Sequence, residues 1–203
     1  AGAKGVYGRV FYYYLLTMLF VGLGLSVMAD TVMVMMTTPA FYPAADLVPL
    51  VVLTMIILGA KYHFEFGILY SKQTRYYLYI NFASGGVHLA FNWVFVKAMG
   101  LWGAMYASLL VQLMTTGLVY LVSQRLYPID YGLGKSLKAL AVACTIYALS
   151  SYPIQLDYGL MIAYKLALVA CFPFVLAILG LITKDEIFRA KQLVAVMVGK
   201  LRK

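Results

Sequence analysis

Apolar residues along this chain do not alternate with polar ones at the spacing of a water-soluble helix or strand. They come in long blocks separated by short polar interruptions. A helix needs about 20 apolar residues to cross the roughly 30 Å of bilayer hydrocarbon, and six blocks approach that length. They cover residues 10–29, 44–69, 76–96, 101–122, 137–152 and 160–183. The first ends at Asp30 and is followed by TVMVMM, which either continues the helix or starts a short one. TTPAFYP breaks the chain before the second block, and Pro49 lies near that block's start, where a missing backbone donor is tolerated. SKQTR, KAMG, QRLYPIDYGLGK and YPIQLDYG supply the remaining turns. In residues 184–203, Ile187, Ala190, Val194, Met197 and Leu201 recur at helical spacing with basic residues toward the ends, which predicts an amphipathic helix lying on the membrane. A seventh, partial dip into the bilayer is the alternative.

Composition agrees with the blocks. Of 203 residues, 64% are apolar and 11% charged, with a mean hydropathy of +0.89. A soluble domain has nearer a quarter charged residues, so this chain faces lipid. The fold class expected is all-α: a polytopic membrane protein of six transmembrane helices (1–183) with a C-terminal amphipathic tail (184–203). The opening AGAKG, without Met, fits a piece of something longer, and the first block is too long for a secretory signal.

The net charge of +9 could indicate nucleic acid on a soluble protein, but here its placement matters more. Lys4, Arg9, Lys72, Arg75, Arg125, Lys135, Lys138 and the six basic residues of the tail fall on one side of the expected membrane, and only Lys97 on the other. Cytoplasmic loops carry the excess of Lys and Arg. Both termini are therefore expected in the cytoplasm, in a multi-pass protein of the cytoplasmic membrane with lipids, not nucleic acid, as partners. Cys144 and Cys171 sit inside apolar runs, where buried thiols are the usual reading and a disulfide framework is not.

His63 and His88 lie on different blocks, and no HExxH, CxxC or GxxxxGK spacing occurs, so nothing argues for an enzyme, a metal site or a cofactor. The chemistry left is polar side chains at membrane depth, which in lipid face a protein interior or a wet cavity. KYHFEFG places Lys61 and Glu65 four residues apart, on one helical face and able to pair. They either line a cavity or sit at the cytoplasmic headgroups, and His63 points elsewhere as an interfacial histidine. Ser84, His88 and Asn92 form one stripe on the third block, with Asn81 nearby, and Gln112 lies on the fourth. These are either hydrogen-bonding glue between helices or the wall of a substrate path. Lys165 is expected to snorkel outward, and Asp30 and Asp157 to be solvated.

The order of several segments carries a resemblance. The acidic end of the first block, YPAADLVPLVVL, SKQTR, HLAFNWVFV, GLWGAMYASLL and SQRLYPIDY together resemble the carboxy-terminal half of polysaccharide flippases of the multidrug, oligosaccharidyl-lipid and polysaccharide exporter superfamily. The likeness covers residues 7 to 140; beyond them only hydropathy matches. It implies one lobe of a two-lobe, alternating-access transporter that moves polyprenyl-diphosphate-linked oligosaccharide across the cytoplasmic membrane for O-antigen or exopolysaccharide biosynthesis. It also implies a missing amino-terminal lobe, or a second chain, as partner. Under that resemblance Lys61 would contact the diphosphate and Glu65 would be its resting partner or a coupling carboxylate. Asn81, His88, Asn92 and Gln112 would face the sugar. A multidrug or small-cation exporter of the same superfamily, or a non-catalytic scaffold for polysaccharide assembly, is the alternative. Glu65 is the only acidic residue expected deep, which disfavours the exporter.

Overall fold

The computed structural model describes residues 3–152 and 157–181. Among them there is no strand, and five α-helices are long and apolar enough to cross a membrane. They are α1 (Ala3–Met36), α2 (Val48–Tyr70), α3 (Thr74–Leu126), α4 (Leu133–Ser150) and α5 (Tyr158–Ile178). The expected tail helix at 184–203 lies outside the described residues.

The polar breaks act largely where the sequence places them. TVMVMM continues α1, so this helix has 34 residues, about 50 Å at 1.5 Å per residue. It ends where the Thr37 hydroxyl donates to Met33 O and Pro39 follows. Residues Pro39–Leu47 wind as a 3-10 helix, so the second block becomes α-helical at Val48 and not at Ala44, with Pro49 in its first turn. Pro43 cannot donate a backbone hydrogen bond, which limits regular α-helix there. The α5 helix stops at Gly180, in the left-handed region (φ 65), where the Leu181 N–H donates to Leu176 O across the last turn.

The third and fourth blocks correspond to α3, which is two helices joined at one non-helical residue, Gly100 (φ 59, ψ −132). Only glycine adopts that backbone at low cost. The chain doubles back there. A Cβ on Gly103 would overlap the Phe95 carbonyl, the His88 ring lies 3.2 Å from Ser108 Oγ, and the hydroxyls of Ser84 and Thr115 are 2.7 Å apart. These pairs run in opposite sequence directions, so the halves of α3 (74–99 and 101–126) form an antiparallel hairpin.

Other contacts fix neighbouring helices in the same way. Tyr7 stacks on Phe66, and the Tyr14 hydroxyl donates to Ile56 O, which sets α1 antiparallel to α2. Lys61 meets Asn81, which sets α2 antiparallel to the first half of α3. Asp30 meets Lys165, and Tyr12 donates to Leu181 O, which sets α1 antiparallel to α5.

Two packed regions hold the helices together. One joins α1, α4 and α5 through Leu19, Leu23, Ala139, Ala143, Phe172 and Leu176. The other joins the start of α1, the second half of α2 and the end of α3 with the 127–132 connection. Its Phe11, Phe64 and Tyr131 rings lie 4.8–5.2 Å apart centre to centre. Lipid is as apolar as leucine, so close van der Waals packing and interhelical hydrogen bonds, not exclusion from water, hold such helices. The outer surface is correspondingly apolar: Leu89 is 76% exposed and Ile178 83%. Both cysteines are free and exposed, which corrects the expectation of buried thiols.

Candidate functional site

The turn at 71–73 positions the polar residues of α2 against those of α3. Ser71 caps the end of α2 by donating to Gly67 O at 2.7 Å, Lys72 takes a left-handed conformation (φ 55), and the Gln73 N–H donates to Ile68 O. The chain therefore reverses within three residues and lays Tyr77 and Asn81 alongside Glu65 and Lys61.

Lys61 and Glu65 are both buried, at 7% and 6% exposure, inside an apolar helix pair. The Lys61 ammonium donates to Asn81 Oδ1 at 3.3 Å and lies 3.6 Å from Glu65 Oε1. Asn81 is aimed by its own helix, its amide donating to Tyr77 O at 2.7 Å. The Tyr77 phenol adds an interaction with the Glu65 carboxylate. Oε1 of Glu65 is buried without a hydrogen-bond donor, so the ammonium beyond hydrogen-bonding distance is what holds that oxygen. A buried carboxylate with one oxygen short of a donor is a costly arrangement, and buried groups of this kind concentrate at functional sites.

The other residues singled out in the sequence extend this site along the helices without closing on it. His88 reaches Ser108 across the α3 hairpin. Gln112 donates to Thr116 Oγ1 at 3.1 Å, and Thr116 donates in turn to Ile57 O of α2 at 3.4 Å. Asn92 donates to the His88 carbonyl of its own helix at 3.0 Å. Lys61, Glu65 and Asn81 thus form one group, while His88, Asn92 and Gln112 sit in separate small hydrogen-bonded sets. From Asn81 to Asn92 the seam runs about 16 Å along the helix axis at 1.5 Å per residue. Four cavities are lined by other residues, and Lys61 and Glu65 belong to the wall of none of these four.

His63 points away from this group and toward α1. Its ring lies 4.5 Å from that of Tyr14 and 5.7 Å from that of Phe11, with Nδ1 3.0 Å from Gly59 O.

A second polar site was not foreseen. Lys165 does not snorkel outward: it is 6% exposed and donates to Asp30 Oδ2 at 2.5 Å. Asp30, expected to be solvated, is therefore paired, although its side chain remains 59% exposed. Around the pair lies a cavity of about 130 Å³ whose wall includes Asp46, Ser26, Ser150 and Ser151. The available signal was depth: Asp30 ends one block and Lys165 lies two turns into another, so opposite charges fall at matching levels. Among the described residues no group of three or more His, Cys, Asp or Glu could hold a metal ion.

No family model matches the chain, and no curated protein or solved structure is significantly similar to it.

Proposed function

We propose that the chain is one lobe of a flippase that moves polyprenyl-diphosphate-linked oligosaccharide across the cytoplasmic membrane by alternating access. The lobe crosses the membrane six times, with α3 crossing twice around Gly100, and both termini lie on the cytoplasmic side. The antiparallel pairs across the α3 hairpin and the one-sided distribution of Lys and Arg support that topology. A second lobe, from the same reading frame or another chain, completes the transport path.

The observation that carries this reading is the buried Lys61 ammonium, held by one amide oxygen and by a carboxylate that lacks a full set of donors. A diphosphate and a sugar head are too polar to enter hydrocarbon unaided, since each unpaired polar group costs several kcal/mol there, whereas the polyprenyl tail is at home in lipid. The protein has only to offer a cationic, hydrogen-bonding path for the head. Lys61 is the group that a diphosphate would claim from Glu65, because charge-assisted bonds to phosphate are strong and Glu65 holds it only at 3.6 Å. Asn81, His88, Asn92 and Gln112 then offer donors and acceptors along the same helices to sugar hydroxyls.

The test is transfer of a fluorescent lipid-linked oligosaccharide across proteoliposomes containing the intact protein. Lys61→Ala should reduce transfer at least about tenfold, the value of one charge-assisted contact, while Lys61→Arg retains part of it. Transfer by Lys61→Ala at the unsubstituted rate, with equal membrane insertion, would remove Lys61 from the path.

A further inference from the structure

Between α1, α2 and α4 lies an apolar cavity of about 220 Å³, bounded by Leu19, Leu23, Leu50, Leu53 and Ala143, with the exposed Cys144 in its wall. It shares Ser26 and Tyr147 in its wall with the polar cavity around Lys165, so the two adjoin. The first is hydrocarbon-like. The other holds a buried ammonium, the carboxylates of Asp30 and Asp46, and the hydroxyls of Ser26, Ser150 and Ser151. None of their wall residues belongs to the Lys61 group, which lies further along α2.

We infer that these adjoining cavities together bind a zwitterionic phospholipid with a primary-amine headgroup, with the acyl chain along Leu19, Leu50 and Leu53 and the headgroup at Lys165, Asp30 and Asp46. Charge complementarity selects the headgroup. The polar end carries one positive and two negative side chains, so an anionic headgroup would meet two carboxylates for one ammonium. A phosphate beside a primary ammonium matches it instead: the phosphate accepts from Lys165, and the ammonium donates to Asp30 and Asp46. Asp30 can make that exchange because its side chain is more than half exposed while Lys165 stays buried. A quaternary ammonium has no N–H to donate to either carboxylate, so a choline headgroup satisfies only half of the site. The apolar end fixes the polarity of the ligand, since a free headgroup would leave that cavity unfilled.

The experiment is native mass spectrometry of the full chain in detergent, titrated separately with dioleoyl-phosphatidylethanolamine, dioleoyl-phosphatidylcholine and dioleoyl-phosphatidylglycerol. The ethanolamine lipid should be retained about tenfold more than either of the others, as expected for one charge-assisted hydrogen bond. Asp46→Asn should lower its retention to the level of the choline lipid, and Lys165→Met should do the same. Cys144→Trp, which fills the apolar end from an exposed position, should remove the adduct of every lipid. Asp46 and Cys144 are both exposed, so these two variants decide the matter without altering a buried residue. Equal retention of the three lipids, preference for the glycerol lipid, or an ethanolamine preference that survives both Asp46→Asn and Cys144→Trp would overturn the assignment.

Discussion

Lys165 and Asp30, 135 positions apart, form a one-sided ion pair: the ammonium is buried and the carboxylate is largely open. The asymmetry makes the two partners unequal to substitution. Asp30→Ala leaves a buried ammonium unpaired and should cost about 1–3 kcal/mol, below the 3–5 kcal/mol of a fully buried pair because the site is partly open. Lys165→Met leaves an exposed carboxylate and should cost under about 1 kcal/mol, with the double variant close to Lys165→Met alone. Thermal unfolding in detergent measures all three. Equal losses for the two single variants would mean that Lys165 is supported by groups other than Asp30.

Much of the helix plan was legible because a bilayer imposes a length and a polarity that soluble proteins do not. Pro39 and Gly132 mark boundaries by backbone chemistry alone, and the antiparallel order follows from short turns, whereas the sixth block, read through to 183, ends as a helix at Ile178 before Gly180. What escaped depended on the partner across space. Lys61 and Glu65 could be paired by their four-residue spacing, but that Asn81 would take the ammonium and leave Glu65 Oε1 without a donor is decided by the angle of the 71–73 turn. The Asp30 and Lys165 contact lacked even a local spacing to suggest it. The 3-10 winding of 44–47 was missed because hydropathy does not register a proline's missing donor.

Gly100 sets the reversal of α3 and should not tolerate a side chain. At φ 59 and ψ −132 a Cβ is strained whatever the space around it, so Gly100→Ala should lose about 1–3 kcal/mol. Gly85, helical and with open space where a Cβ would lie, provides the contrast. Gly85→Ala should be neutral or gain up to about 1 kcal/mol by restricting the unfolded chain. The two variants are compared by unfolding temperature; a harmless Gly100→Ala would mean that the reversal does not depend on that backbone conformation.

The same reversal makes a prediction about sidedness. If α3 crosses twice, its tip near Lys97 lies on the opposite face of the membrane from the turns at Lys72 and Lys135. Single cysteines at those three positions, in a background lacking Cys144 and Cys171, should react with an impermeant maleimide from opposite faces: 72 and 135 together, 97 alone. Labelling of all three from one face would sink the six-crossing arrangement.

Tyr131 lies in the connection before α4, where it donates to His63 O at 3.1 Å and packs against Phe11 and Phe64. Burial pushes its phenol up to about 12, from an ordinary value of 10.0. The folded state therefore holds this proton more tightly than the unfolded state. Its contribution to stability is fully present below pH 10 and is lost as pH rises from about 10 through 12, because over that window the unfolded state releases the proton first. Tyr131→Phe should remove this alkaline component and cost about 1 kcal/mol at neutral pH for the lost hydrogen bond. Stability measured against pH for both proteins decides it; an unchanged alkaline slope in the variant would place the titration elsewhere.

Gly67 and Ser123 mark the closest approach of α2 to the second half of α3. A Cβ on Gly67 would overlap Ser123 Oγ and come within 3.1 Å of the Ser123 backbone oxygen. The side chain could be removed by Ser123→Ala, but the backbone cannot move without separating the helices that carry Ile68 and Val119, both fully buried. Gly67→Ala should therefore cost about 1–3 kcal/mol, the usual penalty for overpacking, and adding Ser123→Ala should recover only part of it. Ser123→Ala alone should cost little, because its buried hydroxyl makes no well-formed hydrogen bond and the nearby Tyr131 hydroxyl keeps His63 O as its acceptor. Full recovery in the double variant would show that the serine hydroxyl, and not the backbone approach, limits how closely these two helices pack.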